Sequence, residues 1–419
     1  VKQRVKSLLL ENPAGRALYG LAQERWFERD YRRRRERYAL QCAGDPQAFR
    51  ADQAILRARS KIARRGYTPV QRADGQVHTF AYLPSNWPHQ EQLARALPQL
   101  GPVTRFDPAA RGFPLPSLRT PAPGSAGRKR ELLAQLLVEI RRAHRERPID
   151  WFFSYALGWD LSAETLQIIQ GELGIPTVNL SLDDKNWWDE IERGDAQSGL
   201  KNLAPHCDLG WTSSRVATSW YWAEGGQALF LPEGVNTDWF RPLPALEQTI
   251  PVGFVGSNFG HRAELLETLR RAGIPVEAHG VRFPGGPLND QGMLEFLNRC
   301  QINLGLGDMH YSRWLTNLKG RDFEVPATGR GLYLTTFNSD LAGCFSFGSE
   351  IAGYRGTDEL IELLRYYLLN PDEAAAMAAR AREHCLRSHQ WVHRFGSILS
   401  ALGVWPGPDP IEAISGARR

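Results

Sequence analysis

Cysteine is sparse in this chain, and no two cysteines are spaced as a pair. Cys42, Cys207, Cys300, Cys344 and Cys385 are scattered through 419 residues. An odd number with no CxxC spacing excludes a disulfide scaffold and the usual zinc ligand sets; it suits reduced thiols in a cytoplasmic protein. No apolar run approaches the roughly 20 residues that cross a bilayer. The opening residues, Val1 to Lys6, lead only into a short apolar patch at Leu8 to Leu10, so no secretion signal is expected. The first residue is not methionine, which suggests a trimmed N-terminus. No repeat of solenoid length recurs, and no nucleic-acid-binding motif accompanies the basic residues.

What is present is an ordinary globular composition, 42% hydrophobic and 23% charged. Single cores rarely grow past about 250–300 residues, so this length implies two or three domains. The charge is unevenly placed. Residues 1–66 hold 17 Lys and Arg against 7 Asp and Glu, whereas residues 67–419 are slightly acidic, 34 against 39. The first 66 residues therefore read as a basic helical extension. A helix from about Pro46 to Arg65 shows one apolar face at Phe49, Ile55, Leu56 and Ile62, and an earlier helix carries the run Tyr31 to Tyr38. Such a run usually faces water. The sharper reading is contact with an anionic membrane surface or an acidic partner, with no nucleic acid expected.

From Tyr67 onward strands alternate with helices, which predicts parallel α/β sheets. Strands are expected at 77–83, 103–106, 150–154, 177–182, 209–213 and 228–231, with helices reaching Leu97 and at 130–145 and 162–172. Residues 108–128 read as a long loop. Pro242 to Pro251 reads as a linker. A second alternating unit follows, with strands at 252–255, 276–279, 302–306, 332–335 and 351–354. Its helices fall near 261–272, 290–299, 322–328, 357–369 and 371–388. The division is thus 1–66, 67–241, 252–388 and 389–419, and the last helix, around Trp391 to Leu402, is expected to cross back to the first domain. Open α/β sheets bind ligands outside the carboxyl ends of their strands, so two such domains would leave a ligand cleft.

The stretch Leu318 to Gly329 is the most informative. Lys319, Arg321 and Glu324 stand in a glycine-bounded turn between two apolar strands. Cations and helix-terminal N–H groups hold phosphate oxygens, and a carboxylate accepts hydrogen bonds from sugar hydroxyls. The plainer alternative is a solvated helix start with Arg321 and Glu324 paired at i,i+3. Asp183-Asp184 could tempt one toward a metal, but one adjacent pair lacks the ligand set of a hard cation, and no metal site is expected. Nine of the 13 tryptophans fall between residues 87 and 239. Flat aromatic faces suit sugar rings, although packing is the default role of tryptophan.

Residues from about 150 to 402 resemble the spore-maturation-protein-like (CgeB-like) glycosyltransferases of the GT-B class. The resemblance rests on ordered pieces: Pro176 to Asp184, Leu231 to Asn236, Gly253 to Ser257, Lys319 to Gly329, Asn370-Pro371, and Ser388 to Arg394. It implies a GT-B fold, two Rossmann-like doubly wound domains facing a cleft, and a nucleotide-diphosphate sugar as donor substrate rather than a cofactor. It implies a metal-independent, retaining transfer to a cell-envelope, protein or small-molecule acceptor. Gly256, Ser257 and Asn258 would form the diphosphate loop. Arg262 stands where related enzymes commonly carry a Lys, and Lys319 and Arg321 would add charge near the same phosphates. Glu324 matches the ribose-binding carboxylate, with Gly329 closing that motif. The partner glutamate expected eight residues earlier is Thr316 here, and Asp308 or residues 309–313 would replace it. On the acceptor side the candidates are His89 and Asp160, with loops carrying Asn86 and Trp87; Tyr155 and Trp159; and Asp183 and Trp187. The rival readings are a non-catalytic scaffold that binds a glycan or partner protein, and another sugar-nucleotide enzyme on the same fold.

Overall fold

The computed structural model describes residues 13–45, 47–69, 75–85, 90–114, 125–189, 198–309 and 312–405. His89, with Asn86 and Trp87, lies outside them. Contacts sort the chain into two compact units. One holds residues 38–236 and resumes at 390; the other holds 237–389 together with N-terminal residues up to Arg37. The basic segment is therefore not one body. Its first helix, α1 (Pro13–Cys42), has residues in both units, and α2 (Ala51–Ala63) lies wholly in the first. The inner seam of α1 is Phe27, Tyr31, Arg34, Tyr38 and Cys42, all buried at steps of three and four.

In the unit of residues 38–236, six strands form one parallel sheet. They are β1 (Thr79–Tyr82), β2 (Val103–Phe106), β3 (Trp151–Ser154), β4 (Thr177–Ser181), β5 (Leu209–Thr212) and β6 (Ala228–Phe230), in the order β2-β1-β3-β4-β5-β6. Sequences such as Trp151-Phe152-Phe153 are apolar at every position because helices cover both faces of a parallel sheet. One face packs on α2, α3 (Gln90–Ala96) and the chain's last helix, through Ile55, Ile62, Leu93, Trp391 and Phe395. The other packs on α4 (Ser125–Glu146) and α5 (Ala163–Leu173), through Leu132, Leu136, Ile140, Leu166 and Ile169. Local chemistry sets the ends of α5: Ser162 caps its start by accepting from Thr165 N at 3.2 Å, and Gly174 ends it at φ 69°. Arg65 fastens α2 to the sheet with a forked pair of bonds to buried Asp208, at 2.6 and 2.7 Å. Asp208 also accepts from Thr177 N at 2.9 Å. Two short helices, α6 (Asp184–Trp187) and α7 (Ala217–Ala223), follow β4 and β5.

In the unit of residues 237–389, the chain alternates β7 (Ile250–Val255), α8 (Arg262–Arg271), β8 (Val276–His279), α9 (Asp290–Arg299) and β9 (Cys300–Gly305). An antiparallel ribbon, β10 (Asp308–Met309) with β11 (Ser312–Thr316), precedes α10 (Arg321–Thr328), β12 (Leu332–Thr336) and β13 (Ala352–Tyr354). Then come α11 (Thr357–Leu369), α12 (Pro371–Ser388) and α13 (Trp391–Leu402); α13 counts with the first unit. The five-stranded parallel sheet runs β8-β7-β9-β12-β13. In chain order that is 2-1-3-4-5, the doubly wound order whose switch point lies between the first and third strands. Here those strands are β7 and β9. The fold is thus two Rossmann-like parallel α/β units with a helical N-terminal region, and the ribbon is an element of this unit that the sequence pattern does not predict.

Candidate functional site

The carboxyl ends of β7 and β9 are joined by one side chain. Arg262, first residue of α8, is 5% exposed. Its Nη1 donates to Ser257 O at 3.1 Å, and its Nη2 donates to Leu306 O at 3.0 Å. Its Nε and Nη2 both reach Asp308 Oδ1 at 3.3 Å. The guanidinium lies 3.8 Å from the Phe259 ring centroid, a cation–π contact. Burial lowers its pKa, and the Asp308 carboxylate opposes that shift. Arg262 therefore clips the loop after β7 to the loop after β9, at the switch point.

The glycine loop is held from below. Gly256 N donates to His279 O at 2.9 Å, and a Cβ on Gly280, whose φ is 138°, would run into the Gly256 carbonyl. Asn258 ties the loop to the chain after β8: its N donates to Val281 O at 2.8 Å and its Nδ2 to Arg282 O at 3.2 Å. Ser257 has its carbonyl oriented by Arg262. Gly256, Ser257, Asn258, Arg262 and Asp308 are thus gathered in one place.

A second group sits at the start of α10. Arg321 and Glu324 pair one turn apart, with Glu324 2% exposed and Arg321 at its outer side. The plainer reading of that spacing is physically present, but the carboxylate is buried rather than solvated. Lys319 N donates to Asp322 Oδ2 at 2.8 Å, and Tyr333 Oη donates to Asp322 Oδ1 at 2.6 Å. Burial pushes Asp322 up to about 6. Burial raises the Tyr333 and Tyr354 hydroxyls, so both stay protonated and uncharged. Gly329 is elsewhere: it caps the far end of α10 at φ 63°, against Arg382, a helix length of about 12 Å from Arg321. Thr316 faces Asp308 across the ribbon, so a carboxylate stands beside the position where the resemblance implies an acid.

Asp160 belongs to the other unit. It is fully buried, where it accepts from Leu157 N at 2.8 Å while its carbonyl accepts from Tyr82 Oη at 2.9 Å. It shapes the loop after β3. Trp159 and Trp187, from the ends of β3 and β4, meet edge to face at 5.2 Å, both half-buried. Trp151, Trp188, Trp211 and Trp220 are core residues. Asp184 is inside: its Oδ2 accepts from Thr212 Oγ1 at 2.6 Å, a structural bond, and burial pushes it up to about 7.

Asp322, Tyr333 and the ribbon escaped the sequence reading. The hydrogen-bonding role of Asp322 left no signal, because spacing within one helical turn does not say which of Asp322 and Glu324 faces a tyrosine two strands' length away in sequence.

Comparisons with known proteins bear on this arrangement. The profile of the glycosyl transferase-like family matches residues 262–400. No curated protein sequence matches the chain. Among solved structures, sucrose-phosphate synthase from Thermosynechococcus elongatus is similar at 12% identity and TM-score 0.54, covering 78% of this chain and 99% of that one. HepE from Anabaena in complex with UDP is similar at 13% identity and TM-score 0.50, covering 78% of this chain and 100% of that one. The same values hold for HepE in complex with UDP-glucose. The fold is that of GT-B glycosyltransferases, and residues 262–400 match the glycosyl transferase-like family.

Proposed function

We propose that the protein moves a glycosyl group from a nucleoside-diphosphate sugar to a hydroxyl acceptor, without a metal and with retention of configuration, in the manner of the spore-maturation-protein-like enzymes. The observation that carries this is the gathering of a glycine loop, the Arg262–Asp308 clip and the Lys319, Arg321, Glu324 group at the carboxyl edge of one 2-1-3-4-5 sheet. A uridine nucleotide is the first donor to try, since HepE, which shares the fold, was solved with UDP and UDP-glucose. Backbone N–H groups of the glycine loop and the cations at 319 and 321 would meet the diphosphate, and Glu324 would accept from the ribose. Arg262 would act by holding the loops in place. As the C1–O bond to the diphosphate breaks, fixed cations stabilise the negative charge left behind. The acceptor oxygen bonds to C1 and its proton passes to the leaving phosphate. On the acceptor side, the Trp159–Trp187 pair offers an aromatic edge for a sugar ring.

The test is a thermal shift with UDP and UDP-glucose, followed by product analysis in the presence of a chelator. Wild type should be stabilised by UDP. Glu324→Ala should weaken UDP binding by about 10- to 100-fold, the loss of one charge-assisted hydrogen bond of about 1.5–3 kcal/mol. No shift with any nucleotide or nucleotide sugar would end the proposal. Thr316, in place of the implied acid, favours a second reading, a scaffold that binds a glycan or partner without turnover; hydrolysis of a sugar nucleotide by the purified protein separates the two.

The outer face of α1 supports a cytoplasmic protein that rests on an anionic membrane. Arg25, Arg29, Arg32 and Arg33 are exposed there beside Leu18, Leu21 and Trp26. Cations interleaved with apolar groups suit a lipid interface. Sedimentation with anionic vesicles should show binding that fades with added salt.

A further inference from the structure

Outside the site described above, the first unit carries a cavity with three cations and no carboxylate among its lining residues. It has a volume of about 340 Å³, within the usual range for ligand pockets. One wall is a single side of α2 and its end: Arg57, Ser60, Lys61 and Arg64, spaced so that their side chains project the same way. The other walls are Pro205 and Cys207, just before β5, and Gly225 to Gln227, just before β6. These lie at the amino ends of the strands. Doubly wound sheets use the opposite edge for their substrates, so the cavity is neither a donor nor an acceptor subsite.

Its charge is not cancelled. The nearest carboxylate to Lys61 is Asp208, 3.9 Å away. Asp208 is already engaged by both terminal nitrogens of Arg65, at 2.6 and 2.7 Å. Lys61 is fixed in place, its Nζ donating to Pro205 O at 3.3 Å and Cys207 O at 3.0 Å. Arg64 donates through Nε to Ser60 O at 3.2 Å, and Arg57 through Nη1 to Ala48 O at 2.5 Å, which leaves the other nitrogens of each guanidinium for a ligand. His206 next door registers the field: burial first, then the Lys61 charge, lowers its pKa. Glu224, which precedes the wall residue Gly225 in sequence, is turned to Tyr38, whose Oη donates to it at 2.5 Å.

We propose that this cavity binds a phosphate ester, with Arg57 and Arg64 gripping the phosphate and Lys61 supplying fixed charge beneath it. The same chemistry is offered by a glycerophospholipid headgroup and by a soluble sugar or glycerol phosphate. Exposed Leu56 on the rim is compatible with either. The inference does not depend on the nucleotide-sugar reading.

Glycerol 3-phosphate titrated calorimetrically into the full chain at low ionic strength is the first arm. Phosphatidylglycerol vesicles in a sedimentation assay are the second. Each is repeated with Arg57→Gln/Arg64→Gln, which keeps Lys61 and its two carbonyl bonds. A saturable glycerol 3-phosphate isotherm weakened about tenfold or more in the variant supports a soluble ligand. No isotherm, but vesicle binding that falls by a similar factor in the variant, supports a headgroup. Equal binding by wild type and variant in both arms, or no binding in either, overturns the proposal; vesicle binding that survives the substitutions belongs to α1. The UDP-induced thermal shift of the variant should match wild type, which shows that the variant is folded and separates this cavity from the donor site.

Discussion

At the scale of single residues, the chemistry of this protein depends on charges taken out of water. Arg262 is the clearest case. Truncating it to Ala would leave Asp308 buried without its counter-ion, a defect that typically costs about 3–5 kcal/mol. Urea unfolding of Arg262→Ala should show a loss of that order, and nucleotide affinity should fall with it because both loops lose their clip. Asp184 gives a pH signature. Its pKa rises from an ordinary 3.8 to about 7 through burial. The folded chain therefore holds this proton more tightly than the unfolded chain. The stabilisation is complete below 3.8 and is lost as pH climbs through about 7, by up to ~4 kcal/mol from this group. Asp184→Asn cannot ionise. Relative to wild type, it should gain stability between about pH 5 and pH 8, measured by denaturant midpoints. The glycine-bounded turn pointed to Glu324, and the family resemblance to Arg262 and Asp308. Neither could show that Arg262 and Asp308 bond to each other, because 46 residues separate them.

At the scale of elements, the strands were legible because parallel strands buried on both faces are written as short apolar runs. Val103–Phe106 and Val276–His279 have the bounds that the pattern predicts. The ribbon 308–316 was not legible. Its first strand is two residues long, too short for any alternation to register. Helix α7 was not expected either: it is seven residues long and has no side-chain cap hydrogen bond at its start. The loop after β7 depends on a close backbone approach. Gly280 has φ 138° and no room for a Cβ beside the Gly256 carbonyl. Gly280→Ala should therefore shift the β7–β8 connection and lower the melting temperature by several degrees, with a matching loss of UDP-induced stabilisation. A variant melting and binding like wild type would show that the loop adjusts freely.

At the scale of the whole molecule, the division of the chain is not the division of the sequence. The family profile begins at Arg262, yet the sheet it covers needs β7, which ends at Val255 and is, among the described residues, the only strand that pairs with β8. A fragment of residues 262–400 would lack the strand between β8 and β9. It would also carry most of α13, which belongs with its packing partners α2 and α3 to the unit of residues 38–236 and would lack them in the fragment. Such a fragment should show no cooperative thermal transition by circular dichroism; a sharp one would mean that β8 finds another neighbour. The basic character of residues 1–66 was plain from composition, but its partition between two units was not, because a helix's charge says nothing about which surface its inner seam meets.

All five sulfhydryl groups are buried, and none is in a disulfide. Cys42 and Cys207 report on one unit, and Cys300, Cys344 and Cys385 on the other. A maleimide dye should therefore label the native protein slowly, and only as fast as each half opens. Peptide mapping of the labelled chain would read out two independent opening clocks without any engineered probe.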